Sequence, residues 1–411
     1  MRLAEQFLQM IGEDADLEVR AYDGSRAGPP DAPAGFTVRS PIALSYVASA
    51  PGELGLARAY VSGALEITGD PHAALIEVEK STVDSLTWTD KMRLVARMGA
   101  ARVWWPVRRP ALEQRLHGRR HSKARDRKAI AHHYDVSNKF YADVLGPSMA
   151  YTCAVYDHED ATLEEAQFAK HDLVARKLGL GEGMRLLDVG CGWGGMVMHA
   201  AEHYGVRALG VTLSRRQAEW AQKAIAERGL SDLAEVRHLD YRDVPETGFD
   251  AISSIGLTEH IGKANLPGYF AFLYGKLRTG GRLLNHCITR PDNAAPARVG
   301  GFLNHYVFPD GELVSPGAIV SLAHDAGFEV RHLENLREHY AKTLTAWCAN
   351  LDERWDAAVR EVGPARARVW RLYLAGSRVG FERNTVQLHQ VLGVKLDGMD
   401  AHMPLRPNWL S

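Results

Sequence analysis

Leu187-Asp188-Val189-Gly190-Cys191-Gly192-Trp193-Gly194-Gly195 is the stretch that decides the fold. It joins a short apolar run, Met184–Val189, to a helical stretch over Gly195–His203, and so reads as the turn from a first strand into its helix. The glycines at 190, 192 and 195 also satisfy G-x-G-x-x-G, which brings a dinucleotide site into consideration. Two features count against it. A dinucleotide fold places an acid about 20 residues on, at the end of the second strand, to hold the ribose; here that strand ends in Thr212-Leu213-Ser214. The acid that is present, Asp188, lies inside the first strand just before the turn. A carboxylate there suits a ligand with ammonium and sulfonium charges better than a pyrophosphate, and the glycines let the backbone approach that ligand closely. S-Adenosylmethionine is therefore expected ahead of a nicotinamide dinucleotide, with a ligand-free tight turn as the plain alternative.

Strands and helices alternate outward from this turn. Arg207–Thr212 reads as a second strand, Arg215–Arg228 as a helix, and Ala234–Leu239 and Phe249–Ile255 as strands three and four. A helix over Leu266–Arg278 leads to a fifth strand, Gly281–Ile288. Apolar strands separated by helices imply βαβ units and a mostly parallel sheet covered on both faces. The C-terminal third reads as mainly helical, with a strand near Phe328–Leu336. Before the core, residues 1–107 read as an accessory domain: an amphipathic leading helix, a Gly/Pro loop at Arg26–Gly35, and apolar helical stretches around Ala59–Val78. Residues 108–130 read as a basic linker and 131–411 as the catalytic domain. Within the linker, Arg108–Lys128 carries nine Lys/Arg against two acids, the mark of a linker or an exposed helix.

The whole chain, 411 residues with 49 basic and 50 acidic side chains, has an ordinary globular composition. Its balance excludes a globally basic nucleic-acid protein, and no apolar run approaches the ~18 residues of a membrane span. The opening MRLAEQFLQMIGEDADLEVR has acids where a signal peptide has its apolar core, so export is not expected. Cysteines 153, 191, 287 and 348 form no C-x-x-C pair, and a reduced, cytosolic setting is the default.

Six segments together resemble the cyclopropane fatty-acyl-phospholipid synthases, the family that includes the mycolic acid methyltransferases. They are LDVGCGWGG, GVTLSRRQ (Gly210–Gln217), SIGLTEHIG (Ser254–Gly262), HYDVSNKFYADVLGPSMAYTCAVY (His133–Tyr156), FLNHYVFPDGEL (Phe302–Leu313) and HYAKTL (His339–Leu344). The resemblance runs from about residue 130 to the end. The first 120 residues look like the accessory domain of the longer synthases. GLTEHIG and NHCITRPD look closest to an actinobacterial branch that makes 10-methylene fatty acids on the way to tuberculostearic acid. The fold so implied is a class I S-adenosylmethionine-dependent methyltransferase: α/β, with a Rossmann-like, mostly parallel sheet, helical insertions that shape a lipid pocket, and a smaller N-terminal domain.

The resemblance implies that Tyr134, Tyr151, Thr152, Asp188, Gly190, Gly192, Thr212, Leu213, Gln217, Asp240 and Tyr241 surround S-adenosylmethionine. It also implies a bicarbonate ion beside the reacting methyl, held by Cys153, Glu259, His286, the backbone of Ile288, and Tyr340. Each of these residues has a plain structural reading by itself; a buried cysteine is usually packing, and Glu259 could serve only as a helix N-terminal carboxylate. A zinc site from Cys153, His286 and His260 lacks supporting ligand spacing. The chemistry implied is attack of an isolated alkene on the sulfonium methyl, which leaves a carbocation that must be kept from water. Aromatic faces would stabilise it, with Tyr269, Phe270, Phe272, Tyr274, Phe302, Tyr306, Phe308 and Trp347 as candidates, although such stripes are more often core. A base then removes a proton, with Glu259 accepting the bicarbonate proton. Direct loss from the new methyl closes a cyclopropane; a prior hydride shift gives an exocyclic methylene.

The expected substrate is thus an unsaturated, oleoyl phospholipid chain, methylated to a 10-methylene chain or cyclopropanated. The methylene branch further implies a separate flavin- or nicotinamide-dependent reductase. Arg108–Lys128 could dock on an anionic membrane surface, each basic side chain adding about 1 kcal/mol, which makes the enzyme cytoplasmic and peripheral on the inner membrane face. The N-terminal domain has two candidate roles, presenting lipid or joining a homo-oligomer. A nucleic-acid methyltransferase is the rival enzyme class, but strand four runs into SIGLTEH without an Asn/Asp-Pro-Pro-aromatic motif, and no Pro-Cys nucleophile is present. No nucleic-acid partner is expected. A non-enzymatic lipid-binding module is opposed by the retained cofactor loop and bicarbonate set.

Overall fold

The computed structural model describes residues 2–12, 14–50, 52–80, 107–113, 125, 137–294 and 300–409. The chain divides into two compact units, one of Met1–Arg115, Gly300–Pro309 and Leu351–Val379, the other of Leu116–Val299, Asp310–Asn350 and Gly380–Ser411.

In the first unit, α1 (Leu3–Ile11) buries Leu3, Ala4, Phe7, Met10 and Ile11, a single amphipathic stripe. Strands β1 (Glu18–Ala21), β2 (Arg26–Ala27), β3 (Ala34–Val38) and β4 (Leu65–Gly69) form a sheet in the order β2-β1-β3-β4. The stretch Ala59–Val78 was expected to be helical, and here the structure corrects the sequence. A helix over Glu53–Val61 ends, Gly63 turns the chain at φ +77°, and β4 intervenes before a second helix over Pro71–Lys80. Leu65 and Ile67 point inward around a half-buried Glu66, a period of two that short apolar windows hide. Glu113, in the basic run, is buried and takes a bidentate ion pair from Arg58 at 2.8 and 2.7 Å.

The second unit is doubly wound. Its leading helices are α2 (Asn138–Leu145), whose N-cap Ser137 accepts from Phe140 N, and α3 (Leu163–Leu178), opened by a reciprocal Thr162/Glu165 capping box. Then follow β5 (Arg185–Val189), α4 (Gly195–Tyr204), β6 (Arg207–Thr212), α5 (Arg215–Glu227), β7 (Ala234–His238), β8 (Phe249–Ile255), α6 (Thr258–Ile261), α7 (Leu266–Lys276) and β9 (Leu277–Thr289). After them come α8 (Pro316–Asp325), β10 (Glu329–Asn335), α9 (Arg337–Glu353, in this unit as far as Asn350) and β11 (Gln387–Val394). The sheet order is β10-β11-β9-β8-β5-β6-β7, parallel from β9 to β7 and antiparallel at β9-β11-β10.

Alternate residues of the parallel strands feed two cores. Leu186, Ala208 and Val236 pack under Val174, Val197 and Ala218 of α3, α4 and α5. Leu187, Leu209 and Ile252 pack under Tyr269 and Phe270 of α7 and Ile319 of α8. Burial on both faces is why these strands read as unbroken apolar runs. The strand β11 escaped the sequence reading altogether, because its QLHQ start puts polar residues where a core strand should be apolar. Among the described residues no helix is long and apolar enough to cross a membrane.

Candidate active site

The chain runs β5-β6-β7 to one side and then crosses over to β8 on the other side of β5, which makes β5 the edge of a topological switch point. Ligands in open α/β sheets bind beyond the carboxyl ends of the strands at such a point. A cavity of about 1060 Å3, counting its open mouth, lies there. Tyr151, Thr152, Asp188, Gly190, Gly192, Thr212, Leu213, Gln217 and Tyr241 all line it. Tyr134 lies outside the described residues.

The glycine turn is fixed from below and open above. Gly190 N and Cys191 N both donate to Val211 O, at 2.9 and 3.0 Å, which ties the turn to β6. Gly190 has φ +77°, and a Cβ there would sit 3.2 Å from Leu257; Gly192 has φ +55°, and a Cβ there would meet nothing within 4 Å. Bare backbone thus faces the cavity at Gly192, as a closely approached ligand requires. Thr212 Oγ1 donates to Gln217 Oε1 at 2.8 Å and accepts from Ser214 N at 3.2 Å, so the β6–α5 corner is internally tied. Tyr151 is backed by the ring of the fully buried Trp347 at 5.4 Å, and Tyr241 stands edge-on to Tyr269 at 5.4 Å. The Asp240 carboxylate accepts from Arg242 N, Nε and Nη2 at 3.0, 2.8 and 2.6 Å. Its neighbours Tyr241 and Arg242 form the wall.

Asp188 is buried and accepts a hydrogen bond from Ser253 Oγ at 2.6 Å. Burial pushes its carboxyl up to about 6, against the pull of Ser253 and of Lys170. Lys170 was not anticipated. Its Nζ donates to Thr152 Oγ1 at 3.1 Å and to His171 Nε2 at 2.8 Å, beneath the cavity. Burial draws the ammonium down to about 7, while the Asp188 carboxylate pulls it back. From the same helix, Gln167 Nε2 donates to Thr152 O at 2.9 Å, so α3 holds the Tyr151–Thr152 wall at two points.

The five residues implied as bicarbonate ligands are all buried or close to it; Ile288 is bonded to Glu259, and Cys153 and Tyr340 share the Leu336 carbonyl. Ile288 N donates to Glu259 Oε1 at 2.7 Å, and Glu259 Oε2 is buried without a hydrogen-bond partner among the described residues. Burial pushes the Glu259 carboxyl up to about 7. His286 is fully buried; Gly256 N, on the cavity wall, donates to its carbonyl at 2.8 Å, and its ring Nε2 also lacks a partner among the described residues. Burial, with Lys170 and Lys177 nearby, holds the imidazole well below its usual range. Cys153 Sγ donates to the carbonyls of Ala154 at 3.1 Å and Leu336 at 3.7 Å, and burial raises its thiol far above the ordinary value. Tyr340 N donates to the same Leu336 carbonyl, and its ring packs on Phe381 at 4.5 Å. Among the described residues no cluster of three or more His, Cys, Asp or Glu could hold a metal. Of the expected aromatic wall, Tyr269 and Phe270 belong to the core under α7, and Trp347 supports Tyr151 from behind.

Comparison with known proteins agrees with this geometry. The family profile described as mycolic acid cyclopropane synthetase matches residues 121–391. A Mycobacterium tuberculosis protein named a probable fatty acid methyltransferase is 55% identical over 406 residues, covering 96% of this chain and 94% of its own length. A cyclopropane synthase structure from Mycobacterium tuberculosis superposes with TM-score 0.62 and 32% identity, covering 65% of this chain and 98% of that one. A mycolic acid cyclopropane synthase solved with SAH and CTAB gives TM-score 0.61 and 34% identity over 65% of this chain and 97% of its own. A glycine turn open to ligand, a buried Asp188 before it, and a profile match over about two thirds of the chain converge on one assignment: the chain belongs to the mycolic acid cyclopropane synthetase family and is an S-adenosylmethionine-dependent methyltransferase.

Proposed function

We propose that this enzyme methylates the double bond of an unsaturated, oleoyl-type phospholipid acyl chain and yields a 10-methylene chain, the precursor of tuberculostearic acid. The observation that carries the reading is the buried Oε2 of Glu259, without a hydrogen-bond partner among the described residues, on a carboxyl whose pKa is raised to about 7. Alkylating an alkene must end in removal of a proton at a water-shielded base, and a carboxyl poised at about 7 both accepts and releases that proton at neutral pH. S-Adenosylmethionine, when bound, supplies an electrophilic methyl on a sulfonium. The alkene π pair would form the new C–C bond to that methyl as the S–CH3 bond breaks, its electrons staying on sulfur in the departing S-adenosylhomocysteine, and the neighbouring alkene carbon would be left cationic. A hydride shift followed by loss of a methyl proton gives the methylene.

Among the described residues, Glu259 Oε2 and His286 Nε2 are an acceptor and a ring nitrogen with unmet hydrogen-bonding capacity, which fits a small oxyanion that carries one O–H. We assign bicarbonate to them, with Cys153, Tyr340 and the Ile288 backbone completing the set; when bound it would supply a second proton-accepting oxygen. In the same proposal, residues 1–107 present lipid or join a homo-oligomer, and a flavin- or nicotinamide-dependent reductase completes the methyl branch. The enzyme then works peripherally on an anionic membrane surface through Arg108–Lys128. Most of that run is outside the described residues; of those inside, Arg125 is committed to Asp310. Cyclopropanation is the second reading, favoured by the cyclopropane synthase structures that superpose on this chain.

The test is mass spectrometry of fatty acids from oleate-containing phospholipid vesicles incubated with the protein and S-adenosylmethionine. A gain of one CH2 is expected; none, with folded protein, refutes the reading. Mild hydrogenation then reduces an exomethylene and leaves a cyclopropane intact.

A further inference from the structure

Three polar residues stand side by side across three neighbouring strands. Glu334 of β10 is the register partner of Gln390 of β11, and Gln390 is the register partner of His286 of β9. Lys177, in the last turn of α3, reaches over this row. Its ammonium donates to Glu334 Oε2 and, at 2.6 Å, to Gln390 Oε1. On the other side of the amide, Gln390 Nε2 lies 3.2 Å from His286 Nδ1. Lys177, Gln390 and His286 are each fully buried, so no water competes for the bonds among these three, while Glu334 is the partly exposed end of the row.

The row has a fixed polarity. An ammonium donates only, so the amide must present its oxygen to Lys177; burial lowers the lysine's pKa, and the ion pair with Glu334 opposes that shift and favours the ammonium. The amide NH2 is then the group that meets His286, and it has no lone pair to offer. Nδ1 must therefore be the accepting nitrogen, and in a neutral imidazole the proton resides on Nε2. Burial with two lysines nearby opposes the doubly protonated ring. The nitrogen so protonated is the buried one that lacks a partner among the described residues.

We infer that Lys177 and Gln390 are positioning residues that set the tautomer of His286, so that His286 offers Nε2–H to the active site as a hydrogen-bond donor and not as a base. An anion beside Nε2 is then held by an N–H that is already oriented, and proton removal falls to Glu259. The tautomer is a property of the protein alone; its effect on turnover rests on the proposed function.

Histidine-15N-labelled protein, studied by long-range 1H–15N correlation, reads the tautomer directly, the His286 signals being identified by their loss in His286→Gln. The expected wild-type pattern is a protonated Nε2 and a lone-pair Nδ1. A wild-type His286 protonated on Nδ1, or on both nitrogens, overturns the inference without any variant. Gln390→Glu puts an acceptor opposite Nδ1 and should move the proton there. It should lower turnover about 10- to 100-fold, as loss of partners that orient metal-bound histidines does, with KM for S-adenosylmethionine changed less than twofold. Lys177→Met frees the amide to turn and should give mixed tautomers, and Lys177→Arg should restore the wild-type pattern. A folded Gln390→Glu protein with an unmoved proton overturns the inference. A moved proton with unchanged turnover overturns the positioning role alone. An inactive wild type with the expected tautomer would instead refute the proposed function.

Discussion

Glu259→Gln separates the energetic cost of the site from its chemistry. The carboxyl is raised from 4.5 to about 7 chiefly by burial, with the Ile288 amide holding it partly back. Between those two values the folded state keeps a proton that the unfolded chain has lost, so wild-type stability falls as pH rises and levels off above the folded pKa. At about 1.4 kcal/mol per pKa unit the full effect is about 3 kcal/mol, most of which accrues between pH 5 and pH 8. Glutamine preserves the acceptor for Ile288 N and cannot ionise, so this loss should vanish. Any fixed penalty from its buried NH2 is the same at both pH values and cancels in the comparison. Urea unfolding followed by tryptophan fluorescence, on both proteins at pH 5 and pH 8, measures the difference. The variant should gain about 2 to 3 kcal/mol on the wild type from the lower pH to the higher, while methyl transfer falls about 10²- to 10⁴-fold. A variant-minus-wild-type stability difference that is constant with pH, or that becomes more negative as pH rises, would refute the claim that Glu259 is a buried carboxyl kept near neutrality.

Three further outcomes follow from the same structure. S-Adenosylmethionine affinity, by titration calorimetry from pH 5 to pH 8, should rise through about 6 as Asp188 ionises and again through about 7 as Lys170 loses its like charge; Asp188→Asn should remove the lower step and Lys170→Met the upper. Gly190→Ala forces a side chain into a φ of +77° against Leu257, and should cost about 1–2 kcal/mol, seen as a lower melting temperature and weaker cofactor binding. Arg58→Ala leaves Glu113 buried without its bidentate partner, and should destabilise the protein by about 3–5 kcal/mol in urea unfolding.

The cofactor turn was legible because its signals are local. A strand buried on both faces must be an apolar run, the turn needs glycine, and Asp188 stands out as a lone acid inside that run. What escaped was buried polarity. Lys170 and Lys177 look like the solvent side of an amphipathic helix, yet they fall on the stripe of Leu163, Ala166, Val174 and Leu178. That spacing of three and four is the signal that could have found them. In β11, His389 and Gln390 break the apolar pattern because each has a specific partner, Thr289 and His286 respectively. Partners a hundred residues apart in sequence leave no mark in a local window.

The place of β11 in the sheet also sets an order of assembly. The parallel strands can pair in turn as each βαβ unit closes, but β9 gains its second neighbour only when Leu388 reaches Ile288 and Gln390 reaches His286. Contacts of such separation form late, since the loop entropy must be met before the pairing rewards it. Until then β9, at 13 residues the longest strand described, presents an open edge, the template on which strands of other chains add. A nascent or partly unfolded molecule is therefore most exposed to aggregation at the same strand that carries His286, and that histidine's ring stays free to turn until the edge is closed.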